Sequence, residues 1–167
     1  MSQKHRRYTL KSKESKQIVT QASEKLKINL ESLFGSKTDI EVIEGEPDNL
    51  LLIGGKPMLF KAGDSILPTL MASDILARLP KVVVDMGAVR FVCNGADVMA
   101  PGIVRYEGNF GMGDVVVIVD VQHGKPLALG EIKYSSEEVK TVKKGPVIKS
   151  KHFVSDKIWN FAKTLAE

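Results

Sequence analysis

Apolar and polar residues follow a helical period in the first part of the chain. Between Lys11 and Ser36 the apolar positions recur at three- and four-residue steps, at Val19, Ala22, Leu26, Leu30 and Leu33. This spacing predicts one amphipathic helix, and Gly35 is the kind of residue that ends a helix.

After this helix the pattern changes to short apolar runs bounded by turn residues. Ile40–Glu44 and Asn49–Ile53 are followed by Gly54-Gly55 and a further run from Pro57 to Gly63. This pattern predicts a small antiparallel meander with a tight Gly-Gly turn. A second helix is predicted from Ile66, with Pro68 in its first turn and Pro80 stopping it.

From Lys81 onwards the runs are rich in Val, Ile and Leu. We predict strands at 81–85, 88–93, 114–121 and 126–134, and an antiparallel sheet because no helix long enough for a crossover separates most of them. Ser135 to Gly145 predicts a short helix capped by Ser135 or Ser136, and residues 152–165 a strand followed by a helical turn. The expected fold class is therefore α+β, with a small α+β domain at 1–79 and a second domain at 80–167.

Composition agrees with a folded cytoplasmic protein. Of the 167 residues 43% are hydrophobic and 26% are charged, and no run approaches the length of a membrane span. No apolar segment follows the basic start, so no signal peptide is expected. The single Cys93 fits a reducing compartment. A monomer is expected, because no segment carries coiled-coil heptads.

Charge is distributed unevenly along the chain. Residues 1–37 carry nine Lys and Arg against three Asp and Glu, 38–130 carry seven against twelve, and 131–167 carry eight against five. Basic ends that meet in space would form a positive face that attracts phosphate. The alternative is that these lysines only solvate the surface.

Catalytic chemistry has little support in the sequence. The three histidines, His5, His123 and His152, are scattered, and Cys93 lies in an apolar run where a small buried hydrophobe is the expected role. No ligand set with metal-site spacing is visible, so we expect no enzyme activity, no metal and no cofactor. Gly108–Asp114 lacks the ending of a P-loop and predicts a flexible turn between strands.

Val89 to Ile103 carries the strongest functional pattern. Asn94 is interpreted as the N-cap of a very short helix, and Gly95, Ala96 and Gly102 remove side-chain bulk around it. Free N–H groups at a helix start bind anionic oxygens, and Arg90 and Arg105 add charge on either side. A phosphate ligand such as RNA is one reading; the other is a corner that packs against a neighbouring strand.

Longer stretches resemble a known module. Residues 82–103 and 129–145 are similar to the PUA domain, a small RNA-binding pseudo-barrel. Residues 66–80, together with 152–159, resemble the malignant-T-cell-amplified-sequence family of translation factors, in which a pre-PUA domain precedes a PUA domain. The loop at 105–114 and the short first domain depart from the eukaryotic pattern and indicate an archaeal-type member. The eukaryotic partner, density-regulated protein, is therefore not carried over.

The resemblance implies a non-catalytic protein that binds structured RNA, such as a tRNA acceptor end at the small ribosomal subunit. Two alternatives remain open, an accessory RNA-binding subunit for a tRNA- or rRNA-modifying enzyme and a protein-interaction module. The resemblance places RNA at the short helix and the last strands of the barrel. The expected contacts are Arg90, Asn94, Gly95, Ala96, Asp97, Val98, Met99, Pro101, Gly102, Arg105, Lys133, Lys144, Lys149 and Lys151.

Overall fold

The computed structural model describes residues 5–166, and the first four residues of the basic N-terminal segment lie outside that range. The chain forms two compact units. One consists of the described residues of Met1–Ala77 and Lys157–Glu167, and the other of Arg78–Asp156. No helix within residues 5–166 is long and apolar enough to cross a bilayer.

The elements follow one another in a mixed α+β order. The first half contains β1 (Arg7–Thr9), α1 (Ser12–Leu26), α2 (Glu31–Phe34), β2 (Ile40–Ile43), β3 (Leu50–Ile53), β4 (Lys56–Ala62), β5 (Ser65–Pro68) and α3 (Ser73–Leu76). The second half contains β6 (Lys81–Val84), α4 (Val89–Val92), β7 (Val98–Met99), β8 (Ile103–Glu107), β9 (Val115–Asp120), β10 (Pro126–Ile132), β11 (Pro146–Phe153) and α5 (Lys157–Ala166). Two 3₁₀ helices span Ala100–Gly102 and Glu138–Thr141. The predicted α+β class is confirmed.

The first unit is built on a five-stranded sheet in which β1 to β5 are neighbours in chain order. All four pairings are antiparallel, as the apolar runs predict. Gly54 and Gly55 both have positive φ, +59° and +78°, which the tight β3–β4 turn requires. Helix α1 packs against β5 and helix α5 against β4, and β3 is buried along its whole length.

Two helix predictions in this unit are wrong. The helix expected over residues 11–36 stops at Leu26, because Lys27 adopts a left-handed conformation with φ 56°, and a separate one-turn helix follows. The helix expected from Ile66 is strand β5, in which Leu67 pairs with Phe60. Pro68 ends this strand at the edge of the sheet, where its missing N–H breaks no ladder hydrogen bond. Helical structure begins only at Ser73.

The second unit is a curled six-stranded sheet in the order β7-β11-β10-β9-β6-β8. Its pairings are antiparallel except for the parallel pair β6–β9, so the expectation of a wholly antiparallel sheet is wrong at this pair. Irregular register interrupts four of the pairings, including Leu129–Gly130 on β10. Such bulges increase the local twist and curl the sheet around one buried core, which contains Val82, Val116, Ile118 and Ile148.

One loop of the second unit forms as predicted, and the helix predicted over residues 135–145 is reduced to one 3₁₀ turn at Glu138–Thr141. Residues 108–114 connect β8 and β9 without a helix. Ser135 and Glu138 exchange two hydrogen bonds at the start of the 3₁₀ turn: the Ser135 Oγ accepts from the Glu138 N–H at 3.3 Å, and the Ser135 N–H donates to Glu138 Oε1 at 3.4 Å. Helix α5 groups with the first unit, whereas the sequence-based division placed residues 157–167 in the second domain. The division at 79 and 80 stays a proposal.

Candidate nucleic-acid interface

The corner after β6 is organised by Asp85. Its Oδ1 accepts a hydrogen bond from the Ala88 N–H at 2.9 Å, and its own N–H donates to the Gly102 carbonyl oxygen at 3.0 Å. The first bond starts a tight turn that leads into the one-turn helix α4. The strand predicted over 88–93 is therefore wrong, because a local carboxylate and the fold around it outweigh the β propensity of Val and Phe.

This helix lies before Asn94, so Asn94 is not an N-cap. Its N–H donates to the Phe91 carbonyl oxygen at 3.1 Å, at the end of the helix. The expected row of free N–H groups after Asn94 is not formed, since the N–H groups of Gly95 and Ala96 also donate to carbonyls of this helix, those of Val92 and Phe91. Anion binding by a helix start at this position is excluded.

The two glycines of the corner make close packing within the unit. Gly95 has φ +88°, and a Cβ added there would lie 2.8 Å from a carbon of the Phe153 ring. A Cβ on Gly102 would lie 3.2 Å from the Ala88 Cβ. Their lack of a side chain serves the fold of the corner, as the strand-packing interpretation expects.

A pocket of about 410 Å³ nevertheless opens at this corner, between α4 and the 96–102 segment. Six of the predicted contacts line it, namely Ala96, Asp97, Val98, Met99, Pro101 and Gly102. Two carboxylates are also on its wall, and each accepts a backbone hydrogen bond: Asp97 Oδ1 from Ser150 at 2.9 Å, and Asp85 Oδ1 from Ala88. The rest of the lining is apolar, which suits a flat uncharged group such as a nucleobase.

Phe91 is the site residue that sequence reasoning missed. It lines the pocket, yet 54% of its surface is exposed, and the Arg90 guanidinium carbon lies 4.8 Å from its ring centroid. Met99, 49% exposed, also lines this pocket. An exposed aromatic ring stacked by arginine is a platform for an unpaired base. The signal in the sequence is Asp85, because an aspartate can accept a hydrogen bond from the backbone N–H three residues later and so start a turn. That turn places Phe91 in a helix instead of a strand.

The four predicted lysines lie outside this pocket. Lys133, Lys144 and Lys149 are exposed, and Lys151 pairs with Glu131 through an Nζ–Oε1 distance of 3.1 Å. Lys149 is on β11, next to Ile148, which pairs with Val98 on β7. Lys144 precedes Gly145, whose carbonyl oxygen accepts the Ala100 N–H. Lys144 and Lys149 are thus neighbours in sequence of Gly145 and Ile148, which contact the 98–100 part of the pocket wall.

The remaining predicted contact, Arg105, lines a neighbouring groove of about 440 Å³. This groove runs between the start of β8 and the 3₁₀ helix at 138–141, and Lys140 and Lys143 also line it. Pro101 belongs to both the pocket and the groove. We call it the basic groove.

Cys93 and His152 have structural surroundings rather than catalytic ones. Burial raises the pKa of the Cys93 thiol, which lowers its reactivity at neutral pH. His152 is fully buried, and its Nδ1 lies 2.8 Å from Asp156 Oδ2, an oxygen that also accepts the Phe153 N–H. This pair anchors the turn between β11 and α5. Across residues 5–166 no group of three His, Cys, Asp or Glu side chains is arranged to hold a metal.

Comparison with known proteins covers both units. Residues 80–154 match the PUA domain, and residues 6–73 match a domain of unknown function (DUF1947). An uncharacterized protein of Methanocaldococcus jannaschii is 40% identical over 93% of this chain and 96% of its own. Translation machinery-associated protein 20 of Saccharomyces cerevisiae is 32% identical over 92% of this chain and 87% of its own.

The chain belongs to the PUA-domain family of translation machinery-associated protein 20 and malignant T-cell-amplified sequence 1. This confirms the resemblance. A hypothetical protein of Pyrococcus horikoshii has the same fold, with a TM-score of 0.78 and 34% identity over 93% of this chain and 99% of its own. A probable tRNA pseudouridine synthase B of Pyrobaculum arsenaticum is 37% identical over 48% of this chain, a match that spans 24% of that enzyme.

Proposed function

We propose that this protein is a non-catalytic, cytoplasmic translation factor that binds structured RNA through its PUA domain. The RNA element is an unpaired end, such as the acceptor end of a tRNA at the small ribosomal subunit. The observation that carries the proposal is the apolar pocket with Phe91 exposed on its wall. PUA domains are RNA-binding modules, and the full-length relative in yeast is a translation machinery-associated protein, which supports the assignment to translation.

Phe91 and Met99 define how the RNA end is held. A base that enters the pocket stacks on the Phe91 ring and covers Met99, both of which are about half exposed. Stacking of a base on an aromatic side chain contributes about 1–3 kcal/mol and works for every base. Arg90, positioned over Phe91, adds a cation close to the entering nucleotide. Because the pocket carboxylates already accept backbone hydrogen bonds, their charge is partly compensated.

Binding of deacylated tRNA with and without its unpaired 3′ end tests the proposal. Wild-type protein is expected to prefer the intact tRNA, and Phe91→Ala to weaken that binding about 5- to 150-fold, the equivalent of one stacked base. The control is Met112→Ala, which removes a side chain that is 76% exposed on the 108–114 loop of the same unit. Equal binding of the two RNAs, or equal effects of the two variants, would refute the pocket as the RNA site.

A second candidate is an accessory RNA-binding subunit for an RNA-modifying enzyme. It is favoured by the partial match to the Pyrobaculum synthase, which spans 81 residues of this chain. Affinity purification of the tagged chain from its own cells separates the two. Co-purification with small ribosomal subunits supports the translation factor, and stoichiometric recovery of a modifying enzyme supports the accessory subunit.

A further inference from the structure

We propose that the basic groove binds the phosphodiester backbone of the RNA segment that leads to the nucleotide in the pocket. Arg105, Lys140 and Lys143 are the phosphate contacts. This inference rests on the proposed function, and it adds a second subsite next to the pocket. The RNA site then has two parts, one that stacks a base and one that holds backbone.

The charged residues that line the groove are all cations. Three cations line it, and the lining contains no carboxylate within the described part of the chain. Its floor is apolar, with Val139 buried and Ile103, Tyr106 and Val142 half-buried. An apolar floor with cations along its sides fits a sugar-phosphate backbone, since the ribose covers the floor and the phosphates face the cations.

The ion pairs at the rim of the groove leave Arg105 and Lys140 available to bind phosphate. Arg105 Nε lies 3.0 Å from Glu107 Oε2, and Lys140 Nζ lies 3.2 Å from Glu137 Oε1. The side chains in both pairs are about half exposed or more, from 47% to 85%. Exposed pairs of this kind are weak and screened by salt, so an RNA phosphate can replace the carboxylate.

Continuity between the two subsites comes from the 3₁₀ helix Ala100–Gly102. Pro101 lines the pocket on one side and the groove on the other, and Ala100 lines the groove. The Ala100 N–H donates to the Gly145 carbonyl oxygen at 2.9 Å, which holds this wall to the segment before β11. A single strand that leaves the pocket over Pro101 therefore enters the groove without crossing another element.

The test compares four full-length proteins with intact tRNA and with tRNA that lacks its unpaired 3′ end, over a salt series. They are wild type, Lys140→Gln/Lys143→Gln, Phe91→Ala and the charge control Lys125→Gln. Lys125 is exposed in the connection between β9 and β10 and lines neither subsite. Amide NMR spectra verify that each variant is folded.

On intact tRNA the double lysine variant is expected to lower the slope of log affinity against log salt by about 1.4, since each single-strand phosphate contributes about 0.7. That change corresponds to about 25-fold weaker binding at 0.1 M salt. On truncated tRNA the double variant and wild type should bind alike. Lys125→Gln should leave both the slope and the preference for the intact end unchanged.

Each failure has its own signature. If the double variant behaves like Lys125→Gln while Phe91→Ala still weakens binding, the groove inference is wrong and the pocket stands. If the double lysine variant, Phe91→Ala and Lys125→Gln all bind intact tRNA with the same affinity, the proposed function fails as well. If the double variant weakens binding equally for both RNAs, the groove does not serve the unpaired end.

Discussion

Replacing Gly95 with Ala tests the finding that the glycine serves packing of the corner. Gly95 has φ +88°, a region that costs a residue with a Cβ about 1–2 kcal/mol. The new Cβ would also lie 2.8 and 2.9 Å from two carbons of the Phe153 ring, so the ring or the backbone must move. Such overpacking adds about 1–3 kcal/mol.

Gly113 provides a matched control in the same unit. Its φ is +89°, and nothing lies within 4 Å of an added Cβ. Gly113→Ala therefore carries the same backbone cost, partly offset by about 0.4–1 kcal/mol because Ala restricts the unfolded chain. The difference between the two variants isolates the contact with Phe153, and we expect Gly95→Ala to be less stable by about 1–3 kcal/mol.

Urea unfolding followed by amide NMR measures this difference in the intact chain. Resonances of residues buried in the second core, such as Val82 and Val116, report this unit separately from the first one. A second arm combines Gly95→Ala with Phe153→Leu, and the coupling free energy should be favourable because the smaller side chain relieves the contact. If Gly95→Ala and Gly113→Ala are equally stable within about 0.5 kcal/mol, the experimental error of such comparisons, the packing explanation is refuted.

Three further predictions concern stability. Gly45→Ala places a Cβ against the Phe161 ring of α5, so we expect a loss of about 1–3 kcal/mol, detected by the fluorescence of the single Trp and relieved by adding Phe161→Leu. Hydrogen bonds from backbone N–H groups, that of His123 first, lower the pKa of Asp120. Since the folded pKa lies below the unfolded one, the stabilisation is present above pH about 4 and is lost as the pH falls through the folded pKa. In urea titrations the stability gap between wild type and Asp120→Asn should therefore be the same at pH 5 and 7 and should narrow progressively as the pH is lowered below about 4. Arg7 binds both carboxylate oxygens of Glu41 at 2.6 and 2.7 Å, and its guanidinium lowers the pKa of that carboxyl. Because the pair is exposed, a double-mutant cycle should give only a small coupling that falls at 1 M salt, and a large salt-independent value would contradict this picture.

Strands β2, β3 and β4 of the first sheet were predictable because their information is local. Each apolar run is four to seven residues long, and the Gly54-Gly55 pair allows the tight turn that joins β3 to β4. Hydrophobic period and turn chemistry act over a few residues, so they can be read without knowing the rest of the fold. The turn at residues 108–114 was predictable for the same reason.

The errors occur where apolar residues fit both a helix and a strand. Leu67 and Pro68 suit a helix start by sequence, but pairing with β4 makes them an edge strand. Val89 to Val92 favour a strand by composition, but they form a helix that starts from the turn held by Asp85. Pairing with the neighbouring strand β4 in the first case, and one polar side chain in the second, outweigh propensities of a few tenths of a kcal/mol to about 1 kcal/mol per residue.

The same distinction applies to the candidate site. The sequence alone determined the α+β class, the family resemblance and the stretch around Ala96–Gly102 where the pocket lies. Only the tertiary structure decided that Gly95 packs on Phe153, that Phe91 faces the solvent, and that Lys140 and Lys143 line one groove with Arg105. The physical reason is that periodicity reports which side of an element is buried, while a binding surface is made by elements that meet only after the sheet has curled.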